Sequence, residues 1–254
     1  MAISGAALHD PTVPRLFSLA NRTSIVTGAA ARGPGITRES QRLLEAGSHV
    51  FCLDILSAPS PEGSRALTMI LKASAAGLTL RCKQADITKS ELVEQVVNEV
   101  EAPEMVRVLV AAAGTIDYKA EDMKRITDVN VVGSFVSAQA AARVTLKHGQ
   151  GGSIILIASM GGSIANRGLN CIEYNSSKAA VIQMCRSVSA EWAPKGIRVN
   201  TISPGYIKTA MTETLSAKKP ELEKRWADDN PWDGGMDLRV EWVDYRLLGL
   251  DVRY

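Results

Sequence analysis

The sequence is poor in the residues that mark disulfide-stapled, metal-binding or membrane-spanning proteins. Its four cysteines lie far apart without C-x-x-C spacing, so we expect free thiols and a reducing, cytoplasmic location. Its three histidines are equally dispersed, which predicts no metal site. No apolar run approaches the length that spans a bilayer. His9 and Pro11 interrupt the N-terminal segment, so we predict no signal peptide there.

An excess of charge of one sign is also missing. The 29 basic and 27 acidic residues leave a formal net charge of +2 and are scattered along the chain. They offer no basic patch for nucleic acid or for an anionic membrane. With 254 residues and no linker-like stretch, the chain is predicted to form a single domain over residues 1–254. Residues 1–18 are expected to be an N-terminal extension, and residues 210–254 a substrate flap with a divergent C-terminal segment.

What the sequence does contain is a regular alternation of short apolar strands and amphipathic helices. The strands are predicted at residues 24–27, 49–54, 78–82, 106–110, 153–158 and 197–202. The helices are predicted to begin near residue 36 and at residue 61, to carry an apolar stripe over 92–100, and to span 130–147 and 174–192. Gly47 and Gly77 are expected to end the first two helices. This alternation predicts an α/β fold, a doubly wound parallel sheet with helices on both faces.

A glycine-rich turn follows the first predicted strand. Gly28, Gly33 and Gly35 permit a tight turn that brings backbone N–H groups close to a pyrophosphate at a helix N-terminus. Asp54 ends the second strand, where an acidic side chain accepts hydrogen bonds from ribose hydroxyls and repels a 2′-phosphate. The pattern predicts a dinucleotide site, and the alternative is an ordinary turn with an unrelated surface aspartate.

Two further residues bear on the cofactor. Arg32 lies in the same turn and could pair with a 2′-phosphate, so NADP(H) stays possible. Asp54 lies nearer the ribose in this architecture, so NAD(H) is favoured. Asp86 follows the third strand and has two interpretations, a contact with the adenine ring or the N-cap of the next helix.

Four polar residues fall at the predicted carboxyl edge of the sheet. Ser159 follows the fifth strand, Asn130 opens the long helix, and Tyr174 and Lys178 lie four apart on one helical face. A phenol with a pKa near 10 is a poor acid or base at neutral pH, but an ammonium and a cationic nicotinamide nearby would lower that pKa. Tyr174 is therefore a candidate general acid/base, with Ser159 holding the same substrate oxygen. The alternative is an amphipathic helix with an exposed lysine and a half-buried tyrosine.

These motifs together resemble a classical short-chain dehydrogenase/reductase. The resemblance rests on the glycine turn at 27–35, Asn130, Ser159, the run Tyr-Asn-Ser-Ser-Lys at 174–178, and Pro-Gly at 204–205. It covers roughly residues 19–214 and is nearest to fungal polyol or sorbose reductase-like members and to 3-oxoacyl-reductase-like members. It implies a Rossmann-type fold and a small-molecule carbonyl or alcohol substrate. It also implies a homo-oligomer, a dimer or a tetramer.

The resemblance also implies roles for individual residues. Asn130, Ser159, Tyr174 and Lys178 would form a catalytic tetrad, in which Lys178 also binds the nicotinamide ribose and Asn130 helps to hold a proton-relay water. Ile207 and Thr209 would contact the carboxamide end of the cofactor. The full set of implied cofactor contacts is Gly28, Arg32, Gly33, Gly35, Ile36, Asp54, Asp86, Ala113, Gly114, Tyr174, Lys178, Pro204, Gly205, Ile207 and Thr209.

The chain departs from the family pattern at three places. Four residues separate Gly28 from Gly33, where the family usually has three, and the family's Asn-Asn-Ala-Gly run reads Ala-Ala-Ala-Gly at 111–114. Near the end, residues 236–242 resemble the family's last strand, but the helix that normally precedes it has no counterpart. We therefore expect exposed apolar sheet surface and an altered oligomer. Three tryptophans are expected to cover that surface or to mark a partner contact: Trp226, Trp232 and Trp242.

The sequence therefore predicts an NAD(P)(H)-dependent oxidoreductase that interconverts a ketone and a secondary alcohol, with Tyr174 as general acid/base. A polyol or keto sugar, a 3-oxoacyl thioester, and an aromatic or polyketide ketone all fit as substrates. The alternative is a catalytically weak relative that acts as a binding or assembly module, or that uses the cleft for non-redox chemistry. Productive cofactor binding separates the two.

Overall fold

Six parallel strands form one sheet in the computed structural model, which describes residues 18–29, 38–56, 64–101, 105–116 and 122–206, with 217, 221, 225 and 226. The strands are β1 (Thr23–Thr27), β2 (His49–Asp54), β3 (Leu80–Gln84), β4 (Val106–Ala111), β5 (Gly152–Ile157) and β6 (Ile197–Ile202). Their order is β3-β2-β1-β4-β5-β6, with every neighbouring pair parallel. The predicted doubly wound sheet is thereby confirmed, and its order reverses at β1 and β4.

Helices cover both faces of this sheet. They are α1 (Arg38–Glu45), α2 (Ser64–Ala75), α3 (Ser90–Glu101), α4 (Met123–Thr127), α5 (Ser134–Lys147) and α6 (Ile172–Trp192). A π-helical segment (Asp128–Gly133) joins α4 to α5, and short 3₁₀ turns lie at Met160–Gly162 and Ala193–Lys195. None of the helices in the described part of the chain is both long and apolar enough to cross a bilayer.

Side-chain alternation along the strands divides the core into two layers. Ile25 belongs to a cluster formed with α3, α5 and α6, whereas its neighbour Val26 belongs to a cluster formed with α1 and α2. Successive side chains of a strand point to opposite faces, so a strand covered on both faces is buried at every position. All five residues of β1 are accordingly buried.

Strand β3 lies two residues later than predicted, because the chain first completes the C-terminal cap of α2. Gly77 has φ +71°, its N–H donates to the carbonyl of Ser74, and the N–H of Leu78 donates to that of Ala73. This pair of bonds is a Schellman motif, and it uses residue 78 for the helix end. Gly77 ends the helix as predicted.

The long helix also differs from its prediction. Helical structure begins at Met123 and runs through the π-helical segment into α5, so Asn130 lies inside the helix instead of opening it. Gly133 does not end the helix, because α5 continues directly from Ser134. A Cβ there would lie 2.6 Å from Cδ1 of Ile87, so the glycine allows close packing against the loop after β3.

Several predictions fall outside the described residues. They are the helix starts near residue 36 and at residue 61, most of the N-terminal extension, the strand at 236–242 and the absence of a helix before it.

Gly77 allows a direct test of the helix cap. A Cβ at Gly77 would meet no atom within 4 Å, so its replacement adds only backbone strain. We expect Gly77→Ala to lower the free energy of unfolding by about 1 kcal/mol, because alanine disfavours the left-handed region. Gly77→Asn should lose less, since asparagine tolerates positive φ. Denaturant unfolding of the three proteins measures this, and equal losses for the two variants would contradict the strain argument.

Candidate active site

The carboxyl ends of the parallel strands bring the predicted site residues to one edge of the sheet. Gly28 follows β1, Asp54 ends β2, Gly114 lies in the loop after β4, and Ser159 follows β5. Ligands of doubly wound sheets bind at this edge, near the point where the strand order reverses. The edge is therefore the candidate active site.

Gly28 makes the closest backbone contact at this edge. Its φ is +74°, and its N–H donates to the carbonyl of Leu53 at 2.8 Å. A Cβ at Gly28 would lie 2.5 Å from Cα of Ala113, so a residue with a side chain does not fit. The N–H of Ala113 also donates to Oγ1 of Thr27 at 3.2 Å. The turn after β1 and the loop after β4 therefore form one continuous wall.

Asp54 lies beside this turn at the end of β2 and is 3% exposed. Its Oδ1 accepts a hydrogen bond from the N–H of Leu56 at 3.0 Å. A carboxylate accepts hydrogen bonds only, so it suits a ligand that presents hydroxyl groups. The acceptor chemistry of Asp54, at the carboxyl end of β2 beside the glycine turn, fits the ribose end of a dinucleotide.

The remaining predicted cofactor residues divide into placed and unplaced. The unplaced ones lie outside the described residues: Arg32, Gly33, Gly35, Ile36, Ile207 and Thr209. Pro204 and Gly205 adjoin the site, since the carbonyl of Pro204 accepts from the N–H of Met160, next to Ser159.

The structure contradicts the interpretation of Asp86 as the N-cap of the next helix. Oδ1 of Asp86 accepts a hydrogen bond from the N–H of Thr88 at 2.9 Å and so stabilises a turn, whereas α3 begins four residues later, at Ser90.

Lys178 is almost completely buried at the centre of the site, with 5% of its surface exposed. Its Nζ donates to the carbonyl of Ile157 at 2.7 Å and lies 5.6 Å from the ring centroid of Tyr174. Burial lowers the pKa of Lys178 to about 8, because a low-dielectric surrounding disfavours the charged form. The ammonium and the phenol are therefore neighbours.

Burial raises the pKa of Tyr174 above its usual value in the protein alone, because desolvation disfavours the phenolate, and the hydroxyl of Ser159 opposes this without cancelling it. The lowered pKa expected from the sequence depends on a cationic nicotinamide beside the phenol, so it stays a prediction for the cofactor-bound site. Oγ of Ser159 also accepts from the N–H of Gly161 at 3.2 Å, which holds the serine toward the tyrosine.

Asn130 is fully buried, with 0% exposed, and connects two sides of the site. Its Oδ1 accepts from the N–H of Thr115 at 2.8 Å, and its Nδ2 donates to the carbonyl of Thr115 at 3.0 Å and to Oγ of Ser177 at 2.9 Å. A Cβ at Gly114 would lie 3.4 Å from Oδ1 of Asn130 and 3.6 Å from Nζ of Lys178. The amide and the ammonium therefore flank the same glycine.

Two residues beside the site, Asn166 and Tyr206, were not identified from the sequence. Nδ2 of Asn166 donates to Oη of Tyr206 at 2.9 Å, and the ring of Tyr206 stacks on Trp226 with centroids 4.4 Å apart. Trp226 is 2% exposed, so it offers little surface to a partner, whereas its predicted role of covering apolar surface stays a prediction. Trp232 and Trp242 lie outside the described residues. Tyr206 directly follows the Pro-Gly pair, and that position was the available signal.

Comparison with known proteins assigns the chain to a family. A family model described as short chain dehydrogenase matches residues 22–220. The chain is 37% identical over 236 residues to the short chain dehydrogenases/reductase notP' of Aspergillus versicolor, covering 87% of this chain and 79% of that protein. It is 32% identical over 238 residues to the ribulose-forming D-arabinitol 2-dehydrogenase of Candida tropicalis, covering 88% and 83%.

A solved structure agrees with these relatives. The crystal structure of the NADPH-dependent 3-quinuclidinone reductase from Rhodotorula rubra matches with a TM-score of 0.76 and 28% identity, over 95% of this chain and 90% of that one. The fold and the site define an α/β oxidoreductase. The chain belongs to the short-chain dehydrogenase/reductase family and acts on CH–OH groups, as the sequence predicts.

The buried ammonium predicts a specific dependence of stability on pH. The pKa of Lys178 is about 8 in the folded protein and near 10.4 in an unfolded chain, so the unfolded state binds more protons between these values. The free energy of unfolding should therefore rise with pH from about 8 to 10.4. The rise should be on the order of 3 kcal/mol relative to Lys178→Met, which has a similar length and no charge. Denaturant unfolding at several pH values measures this, and parallel curves for the two proteins would contradict a buried, depressed lysine.

Proposed function

We propose that this enzyme interconverts a ketone and a secondary alcohol of a polyol or keto sugar, prefers NAD(H), and uses Tyr174 as its general acid/base. The observation that carries the proposal is the phenol of Tyr174, which lies beside the buried ammonium of Lys178 and near enough to the hydroxyl of Ser159 for that group to act on its pKa. The similarity to a D-arabinitol 2-dehydrogenase over most of both chains favours a polyol among the substrate classes.

The chain's own residues divide the chemistry among them. When bound, the nicotinamide supplies the hydride in reduction and accepts it in oxidation. Oη of Tyr174 gives its proton to the carbonyl oxygen in reduction and takes it back from the hydroxyl in oxidation. Ser159 holds the same substrate oxygen through its Oγ. Because burial raises the pKa of Tyr174, the phenol keeps its proton at neutral pH in the protein alone.

Lys178 supplies the positive charge of the site. Its Nζ is fixed by the carbonyl of Ile157 and has two remaining protons for the nicotinamide ribose and for a water. The charge also favours the phenolate of Tyr174 as that residue loses its proton. Since the pKa of Lys178 is about 8, this support weakens above that pH.

The preference for NAD(H) rests on Asp54. A 2′-phosphate would bring a second negative charge next to its buried carboxylate, whereas ribose hydroxyls donate to it. The close approach of Gly28 to Ala113 holds the turn after β1 against the loop after β4, beside the carboxylate of Asp54. The Rhodotorula reductase, at 28% identity, is NADPH-dependent, so the choice of cofactor needs a direct test.

Replacing Asp54 tests the cofactor preference. We expect the purified protein to bind NADH more tightly than NADPH, and Asp54→Asn to weaken NADH and strengthen NADPH, each by about tenfold. The cause is loss of one negative charge with the side-chain shape kept. Titration followed by tryptophan fluorescence measures all four affinities. A preference that Asp54→Asn leaves unaltered would remove Asp54 from cofactor selection, and absence of binding of either cofactor at millimolar concentration would refute the redox function.

Replacing Tyr174 tests the acid/base role. We expect Tyr174→Phe to lower kcat for the reduction of a keto sugar or the oxidation of a polyol by about 10²- to 10⁴-fold, the usual contribution of general acid/base catalysis. Binding of NADH should change little. Ser187→Ala, an exposed position on the same helix, is the matched control and should keep full activity. Turnover by Tyr174→Phe at the unmodified rate would exclude Tyr174 as the proton donor.

A further inference from the structure

The hydroxyl of Ser177 joins two parts of the site that the sequence separates. Its Oγ accepts a hydrogen bond from Nδ2 of Asn130 at 2.9 Å and donates one to the carbonyl of Tyr174 at 2.7 Å. Ser177 is 3% exposed, so no bulk water replaces either bond. The bonds run from the π-helical segment, through Ser177, to the first turn of α6.

The direction of these bonds sets the orientation of the Asn130 amide. The proton of Ser177 is used on the carbonyl of Tyr174, so its oxygen needs a donor, and Nδ2 of Asn130 is that donor. The Oδ1 end of Asn130 then faces the N–H of Thr115, and Nδ2 also reaches the carbonyl of Thr115. A flipped amide would place donor against donor and acceptor against acceptor at Thr115. Only one orientation satisfies every partner.

This orientation matters because Asn130 and Lys178 flank Gly114. Oδ1 of Asn130 and Nζ of Lys178 lie within 3.4 and 3.6 Å of the position that a Cβ of Gly114 would occupy. A rotated amide would change the polar surroundings of the ammonium and open a path for water beside it. The π-helical segment places Asn130 out of the α-helical register, where intrahelical contacts alone do not fix its side chain.

Two other serine hydroxyls donate to backbone carbonyls without reaching the predicted tetrad. Oγ of Ser137 donates to the carbonyl of Gly133, and Oγ of Ser189 donates to that of Val199. Neither hydroxyl joins two elements of the active site. Ser177 differs because its second partner is 47 residues away in sequence and belongs to the tetrad.

We propose that Ser177 is a positioning residue. It fixes the orientation of the Asn130 amide and thereby holds the loop after β4 in a fixed position relative to Tyr174 and Lys178. The proposal rests on the proposed function of the tetrad. Ser177 touches neither substrate nor cofactor in this role and acts through Asn130. Loss of its hydroxyl leaves a buried N–H of Asn130 without an acceptor, which is unfavourable and favours rotation of the amide.

Ser177→Ala is the test, with one readout that needs no activity. The N–H of Thr115 is bonded to Oδ1 of Asn130, so a loosened amide should speed its hydrogen exchange by about tenfold. Exchange of the peptide that contains Thr115, followed by mass spectrometry, measures this. Ser189→Ala is the matched control, because Ser189 lies on the same helix as Ser177 and its hydroxyl also donates to a backbone carbonyl, that of Val199 in β6. Exchange at Thr115 should stay unchanged in that control.

The kinetic readouts separate positioning from general stability. We expect Ser177→Ala to lower kcat by about tenfold with KM for NADH within about twofold of the wild-type value. The alkaline limb of the pH profile should move to higher pH, because water beside Lys178 relieves its desolvation. The carbonyl of Ile157 and the ring of Tyr174 adjoin the ammonium, Asn130 flanks Gly114 with it, and none of these groups carries a charge at neutral pH. Ser177→Thr, which keeps the hydroxyl, should restore kcat and the profile.

The outcomes distinguish this inference from the proposed function. Unchanged exchange at Thr115 with an unchanged pH profile overturns the inference, even where Tyr174→Phe confirms the general acid/base. If the wild-type protein shows no turnover, the exchange data still decide. Faster exchange at Thr115 in Ser177→Ala supports the positioning role of Ser177, and unchanged exchange refutes it. If Ser177→Ala does not fold, Ser177→Cys replaces it, with the same direction expected and a smaller size, since a thiol bonds weakly.

Discussion

Parallel pairing between β1 and β4 is the constraint on which both halves of the active site depend. Thr27 pairs with Ala111 in register, so the turn at Gly28 and the loop after β4 leave the sheet side by side. The first contact after the sheet is the approach of Gly28 to Ala113, and the same loop reaches Asn130 through Thr115. The proposed cofactor turn and the proposed tetrad therefore share one backbone wall, and a shift of register there would displace both.

The site concentrates polar groups that are expensive to bury. Asn130, Ser177 and Lys178 are nearly inaccessible to solvent, and each has a hydrogen-bond partner within the chain. Those partners make the burial tolerable, because an unpaired polar group in a low-dielectric region is costly. The same burial depresses the pKa of Lys178 and raises that of Tyr174. Fold and acid/base chemistry thus depend on the same exclusion of water.

The sequence patterns that predicted the fold are local ones. The continuous apolar run of β2 and the Gly77 helix end depend on neighbouring residues, and both lie where they were predicted. The prediction for strand β3 began two residues too early, because Leu78 donates a hydrogen bond in the C-terminal cap of α2. The start of the long helix was misplaced because a π-helical segment has no periodicity signal, and Gly133 there serves packing.

For the site, residue type and spacing were sufficient to nominate Tyr174 and Lys178, since both stand on one face of one helix. The sequence alone also placed Ser159 and Asp54 at strand ends, and its motifs were sufficient to identify the family. Only the tertiary structure decided the direction of the Tyr174 pKa in the protein alone, the hydrogen bonds between Asn130 and Thr115, and the hydrogen-bond partners of Ser177 and Tyr206. The physical reason is that burial and hydrogen-bond partners come from residues far apart in the chain, and no local pattern encodes how they meet.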